Sequence, residues 1–238
     1  LEANPLITEG VASKPSITDD GSTVVYVTTN KTIRIIQIDW ANGSASANFL
    51  SENPDWRNVA ISKDGQRLAA ISDDFDDRIY IFDLSSGGNG LIYTLFNPTT
   101  AEGVSTGDVN YDFLEWDASG EFLMYDALST ISNSGTEIDF WDIGFMRAWN
   151  NSTNDFGDGF ITKLFNALPD NTSVGNPSFA KNSPEIITMD FFDASTDEYS
   201  VLAVNSQTGD VATLWDNVTL GYPNYSVDDS KVIFDAET

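Results

Sequence analysis

The fold is decided by a repeated stretch, Pro-Ser-Ile-Thr-Asp-Asp-Gly-Ser-Thr-Val-Val-Tyr-Val at residues 15–27, which is followed by Ile-Arg-Ile-Ile-Gln-Ile-Asp at residues 33–39. In this unit an apolar residue precedes an Asp-Gly turn, a β-branched run follows the turn, and a third run ends in Asp. An Asp-Gly pair accepts the positive φ that tight hairpins need, so the flanking runs are predicted to be hairpin arms. The unit therefore indicates antiparallel β-structure.

The unit returns at wide spacing along the chain. The large apolar residues before the five turns are Ile17, Ile61, Trp116, Phe179 and Tyr225, which lie 44, 55, 63 and 46 residues apart. A four-strand unit of about 40–50 residues is the size of a β-propeller blade, and the longer intervals leave room for inserted loops. A β-sandwich would not repeat this hairpin at this period. We predict an all-β chain with about five four-stranded antiparallel blades.

The blade boundaries follow from the repeat. We predict one domain over residues 1–238, with a helical turn near Phe145 to Trp149. Two arrangements stay open, a five-bladed ring closed by pairing of residues 5–10 with residues 231–235, or a part of a larger ring of six to eight blades. The predicted blades are 14–50, 56–96, 110–166, 174–217 and 222–238, the last completed by 5–10.

The repeated unit resembles the TolB-like, WD40-like propeller repeat, whose blades read Pro, any residue, aromatic, Ser, Pro, Asp, Gly before an apolar strand. Asn-Pro-Ser-Phe at 176–179 and Tyr-Pro-Asn-Tyr-Ser at 222–226 match its opening. The fourth copy departs from it with Asn-Ser-Pro at 182–184, and the fifth copy lacks the Gly. The resemblance covers nearly the whole chain and implies a propeller. It implies no single function, because such blades occur in periplasmic adaptors, peptidase caps and other secreted proteins.

The third run of each unit ends in an acid or amide that opens a second turn. An Asx side chain at this position can bond the backbone of its own turn, so we interpret these residues as structural rather than catalytic. The pairs of Asx and closing Gly are Asp39 with Gly43, Asp83 with Gly87, Asn205 with Gly209, and a compressed Asp142 with Gly144.

The charge of the chain excludes two classes of partner. Its 37 acidic and 11 basic residues give a net charge of −26. Nucleic acids and anionic membranes are held by clustered Lys and Arg, and this chain would repel them. No apolar run of about 18 residues exists, so no membrane insertion is predicted. The acidic coat is typical of a solvated surface in a saline or extracellular medium.

The residue types also limit the chemistry. The chain has neither Cys nor His, which removes thiol nucleophiles, Ser-His-Asp triads and the usual zinc sites. It also lacks a Gly-x-Ser-x-Gly elbow. Carboxylate pairs could support glycoside hydrolysis, but the abundance of Asp makes any one pair unremarkable. We therefore predict that this chain is not an enzyme and has no firm cofactor.

Two acidic loops are the candidate Ca²⁺ sites, since dense carboxylate oxygens suit this ion. The first contains Asp73, Asp74, Asp76 and Asp77, and the second, a long insertion in the third blade, contains Asp155 and Asp158. The competing interpretation is that both are ordinary loops, and the first lacks the Gly and terminal Glu of an EF-hand. The second carries two overlapping sequons and could instead be a glycosylated or partner-binding loop.

Two tryptophans are candidates for a binding surface. Trp56 and the exposed-looking Trp149 could stack on a glycan or a protein partner, whereas Trp40, Trp116 and Trp141 are more simply interpreted as packing residues of the repeat. Seven Asn-x-Ser/Thr sequons add to an extracellular interpretation. They begin at Asn30, Asn42, Asn150, Asn151, Asn171, Asn217 and Asn224.

Taken together, the residues predict a non-enzymatic secreted or cell-surface β-propeller that serves as a protein- or ligand-binding or structural module. We expect it to be extracellular, on the cell surface or periplasmic. Two alternatives stay open. The chain could be the propeller part of a larger, peptidase-like hydrolase, or a subunit of an extracellular assembly in which neighbouring subunits are the partners.

Overall fold

The chain folds into β-strands alone wherever its structure is described. A computed structural model describes residues 9–74, 76–98, 112–133 and 136–236. The helical turn predicted near Phe145 to Trp149 is wrong, because residues 145–147 end one strand and Trp149 begins the next. Within the described ranges, no helix is long and apolar enough to cross a membrane.

The strands of these ranges are numbered in chain order. They are β1 (Ser16–Ile17), β2 (Thr23–Val27), β3 (Ile33–Asp39), β4 (Ser44–Ser51), β5 (Trp56–Ile61), β6 (Arg67–Ser72), β7 (Arg78–Asp83), β8 (Asn89–Thr94), β9 (Leu114–Trp116), β10 (Phe122–Asn133), β11 (Thr136–Arg147), β12 (Trp149–Asn150), β13 (Asp155–Phe156), β14 (Ile161–Lys163), β15 (Thr172–Phe179), β16 (Ile186–Asp193), β17 (Glu198–Asn205), β18 (Val211–Asn217), β19 (Asn224–Tyr225) and β20 (Val232–Ile233).

The strands pair in the way that the repeat predicts. Blade 1 is the sheet β1-β2-β3-β4, blade 2 is β5-β6-β7-β8, blade 3 is β9-β10-β11-β14 and blade 4 is β15-β16-β17-β18. Every pairing in these sheets is antiparallel. A fifth copy forms the two-stranded sheet β19-β20, and β12 pairs with β13 in a small hairpin inserted in blade 3. The prediction of an all-β fold with four-stranded antiparallel blades is confirmed.

Contacts along the chain define two compact units. Leu1–Thr94 contains blades 1 and 2, and Leu95–Thr238 contains blades 3 and 4 with the two-stranded sheet. The single-domain assignment therefore stays a prediction, as does closure by residues 5–10, of which 5–8 lie outside the described residues. Gly10 belongs to blade 1, where its carbonyl accepts a hydrogen bond from the Thr29 N–H at 3.0 Å.

Each unit has its own apolar core between neighbouring blades. In the first unit the core contains Val25 and Val27 of blade 1 with Ile61 of blade 2, and in the second it contains Met124 of blade 3 with Phe179 of blade 4. The two anchor residues Ile61 and Phe179 are buried, as a packing role requires. Ile17 differs, since 49 % of it is exposed.

The first turn of blades 1, 2 and 3 is held by one recurring hydrogen bond, whereas blade 4 has Ala180 and Asn182 at the two positions. In blade 1 the Thr18 hydroxyl donates to Asp20 at 2.7 Å, and in blade 2 the Ser62 hydroxyl donates to Asp64 at 2.6 Å. In blade 3 the donor and the acceptor exchange places, because the Ser119 hydroxyl donates back to Asp117 at 2.6 Å. In these three blades the turn contains a hydroxyl and a carboxylate two residues apart, in either order.

The fifth copy keeps this turn without a glycine. Its Ser226 hydroxyl donates to Asp228 at 2.7 Å, in the same order as in blades 1 and 2. Asp229 stands where other copies have Gly and adopts the left-handed φ of 57°, close to the 67° of Gly21. Its carboxylate accepts the Lys181 and Asn182 N–H groups of blade 4 at 2.5 and 2.7 Å. This tie to the neighbouring blade offsets the strain of a left-handed non-glycine residue.

The second turns follow the prediction in three blades and depart from it in blade 3. Asp39, Asp83 and Asn205 each accept the N–H of the residue two positions ahead, at 2.9–3.0 Å. The compressed turn predicted at Asp142 and Gly144 is wrong, because β11 runs through both. Gly144 lies opposite Tyr125, and an added Cβ would come within 2.5 Å of that ring. Gly144 has no side chain and so leaves room for the Tyr125 ring, and it forms no turn.

Candidate functional site

The first acidic loop joins β6 to β7 in blade 2, with residue 75 outside the described residues. Asp73 forms an ion pair with Lys31 of blade 1. Asp76 accepts the Arg78 N–H at 3.1 Å and lies 4.0 Å from the Arg78 Nε. No three acidic side chains converge on a metal-sized space in the described part of the chain. Calcium binding by Asp73, Asp74, Asp76 and Asp77 therefore stays a prediction.

The second acidic loop is the hairpin inserted in blade 3. Asp158 pairs with Arg147 through two hydrogen bonds, one of 2.8 Å from Nε and a second from the other guanidinium nitrogen. This pairing lowers the pKa of Asp158 to about 2. Asp155 accepts the N–H of its neighbour Phe156 at 2.8 Å. The carboxylate of Asp158 thus already has a cationic partner, and calcium binding by this pair also stays a prediction.

The prediction that Trp149 is exposed is wrong. Only 2 % of this residue is accessible, and its ring packs edge-on against Phe156 with ring centroids 5.3 Å apart. Two short strands, β12 and β13, place these rings against each other, so the insertion has its own small apolar contact. A buried indole offers no face to a sugar ring.

Trp56 is half-buried at the start of β5. Its ring packs edge-on against Tyr80 and Phe82, at centroid distances of 5.3 and 6.2 Å. Its Nε1–H donates to the Ser51 hydroxyl at 2.9 Å. These contacts indicate a packing role between blades 1 and 2, and a binding role for Trp56 stays a prediction.

Two buried carboxylates form a feature that the sequence analysis missed. Asp126 in β10 and Asp190 in β16 are 2 % and 3 % exposed. Asn176, in a left-handed conformation with φ of 49°, joins them, since its N–H donates to Asp126 and its Nδ2 to Asp190, both at 2.9 Å. Asp190 also accepts the N–H groups of Gly221 and Tyr222 at 2.8 and 3.0 Å.

These carboxylates act as structural acceptors between successive blades. Burial raises the pKa of both Asp126 and Asp190, while the N–H groups that point at them oppose this shift. Each carboxylate accepts three N–H groups, from Asp112, Phe113 and Asn176 for Asp126 and from Asn176, Gly221 and Tyr222 for Asp190. The sequence does contain a signal: an Asp occurs in the apolar runs 123–126 and 187–190, where blades 1 and 2 have Val27 and Ile71.

The outermost strands of three blades are exposed edges. β4 and β18 each contain a β-bulge, at which Leu50 and Leu214 are left without a partner residue on the neighbouring strand. β8 has no bulge, since all six of its residues pair in register with β7, from Asn89 opposite Asp83 to Thr94 opposite Arg78. Its Leu91 and Ile92 are 40 % and 52 % exposed. Blade 2 therefore has a regular, uncharged edge.

Comparison with known proteins identifies the fold. No family model matches the sequence, and no curated protein matches it. TolB from Acinetobacter baumannii has 16 % identity and a TM-score of 0.62, over 97 % of this chain and 49 % of that chain. The fold is a TolB-like β-propeller. This confirms the resemblance stated from the repeat, and the chain spans about half the length of that TolB structure.

Two other solved structures match this chain with lower TM-scores. A chain in a nidogen/laminin complex has 12 % identity and a TM-score of 0.55, over 96 % of this chain and 72 % of that chain. A prolyl endopeptidase has 13 % identity and a TM-score of 0.50, over 92 % of this chain and 31 % of that chain. Because such identities show the fold alone, the function must be argued from the residues of this chain.

Proposed function

We propose that this TolB-like propeller is a non-enzymatic module that binds a protein or ligand partner through exposed strands and loops. One contrast supports the proposal. Acids such as Asp64, Asp126 and Asp190 are occupied by hydrogen bonds that build turns or join blades. The apolar side chains of Leu91 and Ile92, by contrast, are exposed on a strand edge. The carboxylates support the fold, and exposed apolar surface is what partners bind.

The proposed location is extracellular, on the cell surface or periplasmic. Four sequon asparagines, Asn30, Asn42, Asn151 and Asn171, are exposed in turns. The net charge of −26 keeps such a surface solvated in salty media. A partner that approaches this surface is expected to be basic, since the field of the chain attracts cations and repels anions.

One alternative has a specific observation in its favour. The similarity to a prolyl endopeptidase covers 92 % of this chain but only 31 % of that protein. This chain could therefore be the propeller part of a larger hydrolase, whose catalytic domain would be encoded elsewhere in the gene. The sequence of the complete gene decides the point, because a Gly-x-Ser-x-Gly elbow in a second domain would favour the hydrolase.

The binding function is tested with two parallel assays on the purified chain. In the first, chromogenic glycosides and peptides are incubated with the protein, and we expect no turnover above buffer. In the second, the chain is immobilised, and the binding of basic, neutral and acidic extended peptides is measured by interferometry. We expect saturable binding of a basic peptide. The proposal would be overturned if the protein turned over a substrate and a surface Asp→Asn variant lost that activity. It would also be overturned if none of the peptides bound.

A further inference from the structure

The outer edge of blade 2 differs from the other exposed edges of the described chain. An exposed edge strand presents unpaired N–H and C=O groups to any extended chain, and proteins usually protect such edges with charges, prolines or bulges. β8 reads Asn-Gly-Leu-Ile-Tyr-Thr, so it contains no charge and no proline. The backbone of Leu91 and Ile92 forms no hydrogen bond to a described residue outside its pairing with β7.

The other two exposed edges have the protection that β8 lacks. In β4 a bulge at Leu50 interrupts the pairing with β3, and in β18 a bulge at Leu214 interrupts the pairing with β17. A bulge bends and twists a strand, which removes the flat template that a further strand needs. Asp216 adds a charge to β18. If β8 binds a partner, we expect its edge to stay unprotected while β4 and β18 are protected, and this is the difference observed.

The surroundings of β8 indicate the charge of this partner. Thr94, the last residue of β8, pairs with Arg78, which directly follows Asp76 and Asp77. The first acidic loop of blade 2 therefore lies at the Thr94 end of the edge. Asp73 and Asp76 have cationic partners in Lys31 and Arg78, whereas no ion pair involves the exposed Asp74 or the half-buried Asp77 in the described residues. This end of the edge attracts a basic residue.

We propose that β8 is a docking edge for an extended, basic segment of a partner protein, which adds to blade 2 as a fifth antiparallel strand. This inference rests on the proposed binding function and names its surface. Main-chain hydrogen bonds to β8 hold the strand, and alternate apolar side chains contact Ile92, while the residues between them lie on the face of Leu91. An antiparallel strand begins beside Thr94, so its basic residues lie near its N-terminus, against Asp74 and Asp77.

A second copy of this chain is a poor occupant of the same edge. Two chains of charge −26 repel each other, and close pairing would bring their acidic loops together. A basic segment reverses the sign of this long-range interaction. The charge of the chain therefore favours a partner of opposite charge over self-association.

The test uses the whole chain and a defined probe, the peptide Lys-Lys-Thr-Val-Thr-Ile-Thr-Val. Its controls are the reversed sequence, which places the lysines at the far end, and a version with Glu in place of Lys. Binding is measured by fluorescence anisotropy at 50 and 500 mM salt. Hydrogen–deuterium exchange locates the bound peptide. We expect the probe to bind at least about ten-fold more tightly than either control and to slow amide exchange in residues 89–94.

Two variants assign the binding to the edge. Ile92→Lys places a charge on β8 and is expected to weaken binding at least about ten-fold, while the matched control Leu214→Lys on the bulged β18 leaves it unchanged. The double variant D74N/D77N is expected to weaken binding at low salt only. Circular dichroism verifies that each variant is folded.

Each other outcome overturns the inference. These outcomes are protection that lies outside residues 89–94, equal effects of Ile92→Lys and Leu214→Lys, and a concentration-dependent dimer that protects the same amides without the peptide. A peptide that binds and protects another surface overturns the docking edge and leaves the binding function standing. If no peptide binds in any assay, both proposals fail.

Discussion

At the scale of single residues, the acids of this chain differ in burial and in the donors that bond to their carboxylate oxygens. Asp190 is buried and accepts three N–H bonds from Asn176, Gly221 and Tyr222. Asp158 is exposed and is held by one guanidinium. The same side chain thus serves as a buried structural acceptor in one place and as a surface ion-pair partner in another.

Replacing Asp190 tests its structural role. The Asp190→Ala variant leaves three N–H donors without an acceptor, one of them in buried Gly221, so we expect a loss of about 2–4 kcal/mol in the free energy of unfolding. Urea denaturation followed by circular dichroism measures this loss. Asp216→Ala on exposed β18 is the matched control, with an expected change within about 0.5 kcal/mol. Equal losses in the two variants would count against the role given to Asp190.

The ion pair of the insertion predicts a change in titration. Arg147 lowers the pKa of Asp158 to about 2, so this pair contributes stability at pH above the ordinary Asp value and loses it as the pH falls through about 2. In Arg147→Met we expect the pKa of Asp158 to rise toward the ordinary value, as measured by NMR titration of the carboxyl carbon. Asp228, whose pKa of about 2 is due to Ser226 and Ser230, is the internal control and should not change.

At the scale of elements, the first hairpin turn has the same hydrogen-bonded pair in blades 1, 2 and 3 and in the fifth copy. A hydroxyl and a carboxylate two residues apart bond each other, and the residue at the first position also accepts the N–H that begins the next strand. Ser62 accepts it from Arg67 at 2.9 Å, and Asp117 accepts it from Phe122 at 3.0 Å. Either residue type satisfies this N–H because both present an oxygen at that place.

Exchanging the pair in blade 3 tests this interpretation. Asp117→Ser alone leaves two hydroxyls, and Ser119→Asp alone places two carboxylates together, so each is expected to cost about 1 kcal/mol of unfolding free energy. The double variant D117S/S119D recreates the order found at Ser62 and Asp64 and should return to within about 0.5 kcal/mol of the unmodified chain. Additive losses in the double variant, measured by urea denaturation, would contradict the exchange.

At the scale of the whole molecule, the large negative net charge is the main influence on how stability responds to solution conditions. A chain of charge −26 has a compact state weakened by self-repulsion, which salt screens. Only 11 basic residues are available for ion pairs, and several of these are already used, including Lys31, Arg147 and Lys163. Solution conditions should therefore change the stability of this protein more than they change that of a neutral one.

Salt and calcium separate general screening from a specific site. We expect the Tm to rise as NaCl increases from about 50 mM to 1 M, because screening reduces repulsion in the compact state. CaCl₂ is then compared with MgCl₂ at equal ionic strength by calorimetry. A larger rise with Ca²⁺, lost in D74N/D77N or in D155N/D158N, would support calcium binding in that loop. An equal rise in Tm with the two ions would contradict the calcium hypothesis.

Much of the fold was predictable because it rests on local chemistry. The Asp-Gly turns, the Asx residues Asp39 and Asp83, and the strands between them depend on residues a few positions apart, and they appear as predicted. The role of Gly144 could not be predicted, because it depends on the ring of Tyr125 on the neighbouring strand. The burial of Trp149 could not be predicted either, because only the inserted hairpin brings Phe156 against its ring.

The sequence by itself determined the blade repeat, the excess of negative charge and the absence of thiol and imidazole chemistry. Each of these is a property of residue types and of short-range spacing. Only the tertiary structure decided which acids are buried between blades, as Asp126 and Asp190 are, and which strand edge stays regular. Burial and edge pairing depend on contacts between residues far apart in the chain, and a β-bulge of one residue is set by how two strands align.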